Sequence, residues 1–272
     1  MIDPEVASIG EAGAVGEVGE AGAVGASVGS RAPRAGTRRG PGPLARRPEI
    51  VPVTATAVAW SALAADSMGW WGASAGTGHS GHGIFTATGI AMVAAMTAAM
   101  MGPLSIGGVR TVAFTSPWWR AGRAAGIFFV TFVAAWTVIA LCLATVASML
   151  DGVLGSAATA AGALVLVCAL AEFDPGRAVR MASCDRPMRL RGNGFDADVD
   201  CARFGLLSAA RGVRLCALPM LAMLAMPGSL PVMAVLTGLT VTDRITEGRR
   251  RLLLAALYTV LGVGLLWAGG NR

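Results

Sequence analysis

Seven apolar blocks dominate the chain: residues 50–68, 84–101, 124–150, 153–173, 215–226, 230–242 and 252–268. A helix needs about 20 mostly apolar residues to cross the hydrocarbon core of a bilayer. The first four blocks and the last reach that length or come close. The blocks at 215–226 and 230–242 are short, with Pro227-Gly228-Ser229-Leu230-Pro231 at their junction. They read either as a hairpin of two helices, lengthened by residues from Phe204 onward, or as a re-entrant element. The hairpin gives seven spans; a re-entrant element or one broken helix gives six or fewer. Backbone polar groups in lipid must be satisfied within helices. The pattern therefore predicts an all-α polytopic transmembrane helix bundle of about seven spans over residues 50–268, with a short C-terminal tail at 269–272.

The polar stretches refine this picture. Residues 1–49 hold no bulky side chains in number: the unit Gly-Glu-Ala-Gly-Ala-Val-Gly occurs at 10–16 and again at 19–25, and Arg31, Arg34, Arg38, Arg39, Arg46 and Arg47 follow among Pro and Gly. Such a segment cannot bury enough apolar surface to fold, so a disordered tail is expected. The connection at 70–83 has no arginine. The one at 103–123 has Arg110, Arg120 and Arg123. The connection at 174–203 carries Arg177, Arg180, Arg186, Arg189, Arg191 and Arg203, and 243–251 carries Arg244, Arg249, Arg250 and Arg251. The turns at Asp151 and at Pro227 have none. Arginine-rich connections mark the cytoplasmic side. The alternation is unbroken if the split pair counts as two crossings. It predicts a multi-pass protein of the cytoplasmic membrane with its N-terminus inside and its C-terminus outside.

Composition agrees. Of 272 residues, 54% are hydrophobic and 14% charged, against roughly 25% charged in soluble domains. The net charge is +6, and all 22 basic residues are arginine. Because the arginines sit between apolar blocks, the partner they point to is the lipid bilayer and not nucleic acid. No nucleotide-binding loop, catalytic triad or zinc-protease motif occurs, and the chain is not expected to be an enzyme.

Four groups of residues bear on chemistry. His79 and His82 are the only histidines and lie in the uncharged, Gly-rich connection before the second block; neutral imidazole is a common transition-metal ligand. Met92, Met96 and Met100 recur every four residues and share one helix face, with Met101 beside them. Thioethers are soft donors that favour Cu(I), although methionine also packs well in helix interfaces. Met220, Met223 and Met226 form a second stripe. Cys184 and Cys201 fall in the connection that also carries Asp196, Asp198 and Asp200; the acidic run lacks the glycine and closing glutamate of a calcium loop, and a polar loop with free thiols is the expected reading. Asp66, Glu172, Arg211 and Arg214 lie near helix ends, where long or terminal charges reach water cheaply.

The segment Met96-x-x-Ala99-Met100-Met101-x-Pro103, following Met92, resembles the methionine signature of a family of predicted metal-binding integral membrane proteins, the bacterial domain-of-unknown-function 2182 group. The resemblance continues through Ala169-Leu170-Ala171-Glu172-Phe173-Asp174-Pro175-Gly176-Arg177, through Cys184 and Pro187, and from Gly205 to Met223. It covers roughly residues 50–268 and implies membrane metal binding or copper chaperoning. The chain departs from the family where Arg180 replaces the first cysteine of a Cys-x-x-x-Cys pair, and where Leu218 and Pro219 stand near Cys216. Together these readings predict a membrane protein that binds or hands over a soft transition metal, copper, through His79, His82, Met92, Met96, Met100 and Met101, with a metal donor or membrane protein as partner. The alternative is a non-catalytic membrane subunit that packs against a partner protein and binds no metal.

Overall fold

The computed structural model describes residues 47–68, 86–177, 188, 190–191, 194–226, 229–246 and 250–271. The chain divides into two units, residues 1–39 and 40–272. All of the first lies outside the described residues, as does the rest of the expected tail up to residue 46.

The described secondary structure of the second unit is entirely helical. Its helices are α1 (Ile50–Ser67), α2 (Ala87–Met101), a 3-10 turn (Pro103–Ser105), α3 (Ile106–Thr115), α4 (Ala121–Leu154), α5 (Ala157–Ala171), α6 (Phe195–Ala225), α7 (Leu230–Ile245) and α8 (Arg251–Gly270). Each of the seven apolar blocks is helical over most of its described residues. Four helices, α1, α4, α6 and α8, are individually long and apolar enough to cross a membrane, and α2 with the segment after it makes a fifth candidate bent by 53°. The bend follows Gly102 and Pro103; proline has no N–H for the helix ladder, which is the usual cause of a sharp kink. α5 and α7 have 15 and 16 residues. At 1.5 Å per residue they measure about 22 and 24 Å, short of a hydrocarbon core of about 30 Å. A count by length therefore gives four or five spans where the sequence pattern gave about seven.

Two stretches expected to be loops are helical. Residues 106–115 form α3, and α6 begins at Phe195 instead of near Phe204. Gly194, with φ +87°, starts α6, and Asp196 and Asp198 occupy its first turn. Carboxylates there are favoured by the unpaired N–H groups and the helix dipole. Arg120 and Arg123 both bond Asp198, the latter at 2.6 Å, and Arg191 bonds Asp196 at 2.9 Å. The acidic run is thus paired with arginines.

Close packing by small residues holds the bundle. On α4, Phe128, Phe132 and Trp136 point one way at four-residue spacing, and the facing positions on α6 are Gly205, Ala209 and Gly212. A Cβ on Gly205 would come within 2.7 Å of the Phe128 carbonyl oxygen. Gly162 on α5 and Gly262 on α8 meet so closely that a Cβ on the first would lie 2.9 Å from the carbonyl oxygen of the second. Without a hydrophobic drive between helices in lipid, such close backbone approach is what small residues provide. Threonine hydroxyls inside the bundle donate to their own helix, as Thr97 does to the Val93 carbonyl at 2.7 Å and Thr240 to Leu236 at 2.7 Å.

The ion pairs fix which ends lie together. Arg120 and Arg123 before and at the start of α4 meet Asp198 at the start of α6, and Arg177 after α5 meets Asp243 near the end of α7. The described parts of the connections 103–123, 174–203 and 243–251 therefore share one end of the bundle, with α4, α6 and α8 leaving it and α5 and α7 returning to it. This is the arginine-rich end.

A candidate functional site at the arginine-rich end

Thr86 caps α2 by accepting the Gly89 N–H at 3.1 Å, and the helix then runs without a break to Met101. Its methionines divide into two kinds. Met96 and Met100 are buried in the apolar core, Met92 is half-buried against it, and Met220 and Met223 from α6 join the same core. Met101, also buried, lines a cavity of about 190 Å³. His79, His82 and Cys184 lie outside the described residues. Cys201, expected in a loop, is buried on α6, so it is not a solvated loop thiol; the early start of α6 carries it into the packed face. No group of three or more His, Cys, Asp or Glu side chains stands ready to hold a metal among the described residues. A thioether site has no need of one.

The cavity lies between the end of α2, α3, α4, α6, α7 and α8, and its wall includes Met101, Trp136, Arg177, Cys216, Asp243 and Tyr258. Pro219 of α6 also lines it, beside Leu215. Proline has no N–H to donate to the carbonyl four residues earlier, so the α6 ladder is interrupted at the cavity, at the Leu215 carbonyl.

One border of the cavity is an ion-pair cluster. The Asp174-Pro175-Gly176-Arg177 turn, closed by the Arg177 N–H donating to the Asp174 carbonyl at 3.1 Å and the Gly176 N–H donating to Asp174 Oδ1 at 2.8 Å, turns Arg177 back over the end of α5. Its Nη2 lies 2.8 Å from Glu172 Oε1 and 2.6 Å from Asp243 Oδ2. Glu172 is 1% exposed and Asp243 4%. Burial works against the Arg177 charge, but Asp243 and then Glu172 outweigh it and hold the guanidinium above its ordinary value. Glu172 Oε2, Arg177 Nε and Asp243 Oδ1 have no hydrogen-bond partner, nor has Trp136 Nε1 across the cavity.

Sequence reading placed Glu172 among charges that reach water cheaply at helix ends. Its near-complete burial corrects that: the carboxylate is covered by the returning turn and neutralised by Arg177. Arg177 and Asp243 were not singled out. The sequence signals are that Arg177 ends the segment Ala169 to Arg177 that resembles the family, and that Asp243 directly follows the apolar block ending at Thr242. Asp66 and Arg211 are half-buried and Arg214 is exposed.

A family model described as PpoB2, copper chaperone, matches residues 90–270. No curated protein and no solved structure matches the chain. The matched span contains all four α2 methionines, Cys216 and the whole ion-pair cluster, and begins after His79 and His82. The copper handling implied by the methionine signature agrees with this match, and the chain belongs to the PpoB2 copper-chaperone family.

Proposed function

We propose that this protein is embedded in the cytoplasmic membrane, holds Cu(I) there on soft side chains and hands it to a partner protein, without catalysing a reaction of its own. The observation that carries the reading is the family match across residues 90–270, which spans the methionine face of α2. Met92, Met96 and Met100 run along one face towards Met101 and the cavity. Thioethers are neutral and soft, and so suit a monovalent soft ion in a water-poor interior. His79 and His82, just before the other end of α2, are the proposed receiving ligands. The arginine-rich end is assigned to the cytoplasm by the excess of arginine in its connections, with the N-terminal tail inside. A reporter fused after Gly76 is expected outside, and one after Gly192 inside.

Burial of Met96 and Met100 in the apolar core also favours a second reading, in which the methionines are packing and the chain is a structural membrane subunit. Purification with copper present and measurement of bound metal per chain separates the two. Copper retained by the wild type and lowered by Met96→Leu, a near-isosteric change that usually costs under about 1.5 kcal/mol of stability, supports the carrier. A folded wild-type protein with no copper above background sinks it and leaves the structural subunit.

A further inference from the structure

Between the end of α2 and the start of α4 the chain lays out a cationic and aromatic surface. Residues 103–123 carry Arg110, Arg120 and Arg123 and no acidic residue. Val109, Val112 and Ala113 of α3 are buried, while Arg110 and Phe114 are exposed. The Arg110 guanidinium stands over the Phe114 ring, 6.0 Å from its centroid, within the range of a cation–π contact. After Pro117, Trp118 and Trp119 meet edge to face at 5.8 Å, and Trp119 is 67% exposed. Three large aromatic side chains are thus turned outward within six residues. Water disfavours so much apolar area in one patch. Hydrocarbon suits it no better, because the two indole N–H groups and the Arg110 charge need partners that hydrocarbon lacks.

The outward positions of α4 mark how deep this surface lies. Arg123 is exposed near the helix start, and the exposed positions that follow, from Val130 through Val138 to Val146, carry no charge. The outward face therefore passes from headgroup chemistry to hydrocarbon chemistry between 123 and 130. Gly108 of α3 lies against the Phe128 ring, with no room for a Cβ. At 1.5 Å per residue, Phe128 is about 10 Å along α4 from Ala121. From that depth α3 returns to the start of α4, where the two tryptophans sit. Interfacial helices lie about 5–10 Å into the boundary of headgroups and acyl chains, and tryptophan is enriched at that level.

Resting on the membrane placement above, we propose that α3 and the Trp118-Trp119 turn form an interfacial element, seated in the headgroup layer at the arginine-rich end and selective for anionic phospholipid. The 53° bend after α2 is then where the chain leaves the span, and α3 is not the second half of a broken one. Phe114 and the indole rings lie among the glycerol and upper acyl groups, with the indole N–H groups donating to lipid oxygens. Arg110 faces lipid phosphate. So does Arg123, because Arg120, Arg123 and the Asp198 they share keep a net positive charge.

The test reconstitutes the full-length protein in phosphatidylcholine vesicles that contain lipids brominated at a known acyl depth, and reads tryptophan fluorescence. The signal of the pair is the difference between wild type and the double variant Trp118→Phe with Trp119→Phe. It should be quenched most by bromine on the upper acyl chain. In mixed vesicles, brominated phosphatidylglycerol should quench it more than brominated phosphatidylcholine at the same mole fraction. Arg110→Gln should lower that preference by up to about fivefold, the factor set by the attraction of one arginine to an anionic surface. Trp267, exposed on α8, is the control, and its signal, taken from Trp267→Phe, should be quenched by lipid wherever α3 lies. Quenching of the pair by aqueous acrylamide and by no brominated lipid, with Trp267 still quenched by lipid, overturns the proposal and leaves the surface to a soluble protein partner. Quenching strongest from the bilayer centre overturns it in favour of a bent span of α2 and α3. Equal quenching by the two lipids, or a preference that Arg110→Gln leaves intact, overturns the selectivity. A chain whose Trp267 also stays in water overturns the membrane placement itself.

Discussion

Two arginine–carboxylate clusters stand at the same end of this bundle, and they differ in what surrounds them. In one, Arg177 is shared by Glu172 and Asp243, and all three are buried. In the other, Asp198 at the start of α6 is shared by Arg120 and Arg123, and the Arg123 side chain is 69% exposed. The first has more carboxylates than arginines and leaves an unpartnered atom on each member. The second has more arginines than carboxylates and borders the polar connections. The buried cluster is a poor investment as a staple, since desolvating three charges offsets much of their attraction. The surface cluster is the ordinary way to tie two helix starts together. A charge cluster kept in a dry place beside a cavity points to a task other than stability.

The largest expected effect is that of Arg177→Met. It removes the guanidinium that bonds both buried carboxylates, Glu172 and Asp243, and breaking a buried pair in this way costs about 3–5 kcal/mol. Denaturant unfolding in detergent micelles measures it. A loss as small as that of an exposed pair would mean that water reaches the cluster and that the contrast between the two sites is false.

Arg120→Met probes the other side. The Arg120 side chain is only 10% exposed, but Arg123 stays to hold Asp198, so the loss should be clearly smaller than for Arg177→Met in the same assay. Wild-type stability at the Asp198 cluster should also decline as salt rises, since screening acts on charges near water and much less on buried ones. An Arg120→Met loss equal to the Arg177→Met loss would remove the distinction.

This contrast was hidden in the sequence for a physical reason. Apolar blocks and the four-residue methionine spacing are local, and both survive in the structure as helices and as one buried face. The ion pairs are not local: Arg177 and Asp243 are 66 positions apart and Arg120 and Asp198 are 78 apart. Nothing in one sequence says which charge folds back on which. Helix α3 was missed because Gly107, Gly108 and Arg110 dilute its apolar pattern, and it gains its place by packing on α4. The first turns of α6 were missed because Asp196, Asp198 and Asp200 look like a loop until their arginine partners are in place. Met101 read as an extra member of the stripe. Only the bend at Gly102-Pro103 and the arrival of α6 show that it lines a cavity as well as joining the core with Met96 and Met100.

Acid should separate the clusters with the smallest but cleanest signal. The hydrogen bond from Arg120 is the main cause holding the Asp198 carboxyl below its ordinary range; burial opposes it, and the charges of Arg120 and Arg123 add to it. A carboxylate with a depressed folded value contributes its stability in full above the unfolded value of about 3.9 and loses it as the pH falls from there through the folded value. Asp198→Asn removes that dependence, because the amide cannot ionise. The stability difference between wild type and Asp198→Asn should therefore be constant at neutral pH and shrink below about pH 4. Helix-start contacts can be followed directly by hydrogen exchange of the first turns of α6. A wild type and an Asp198→Asn variant that keep the same difference at pH 3 as at pH 7 would show that the two arginines do not recognise the charge of Asp198, and that the pair is a contact of shape alone.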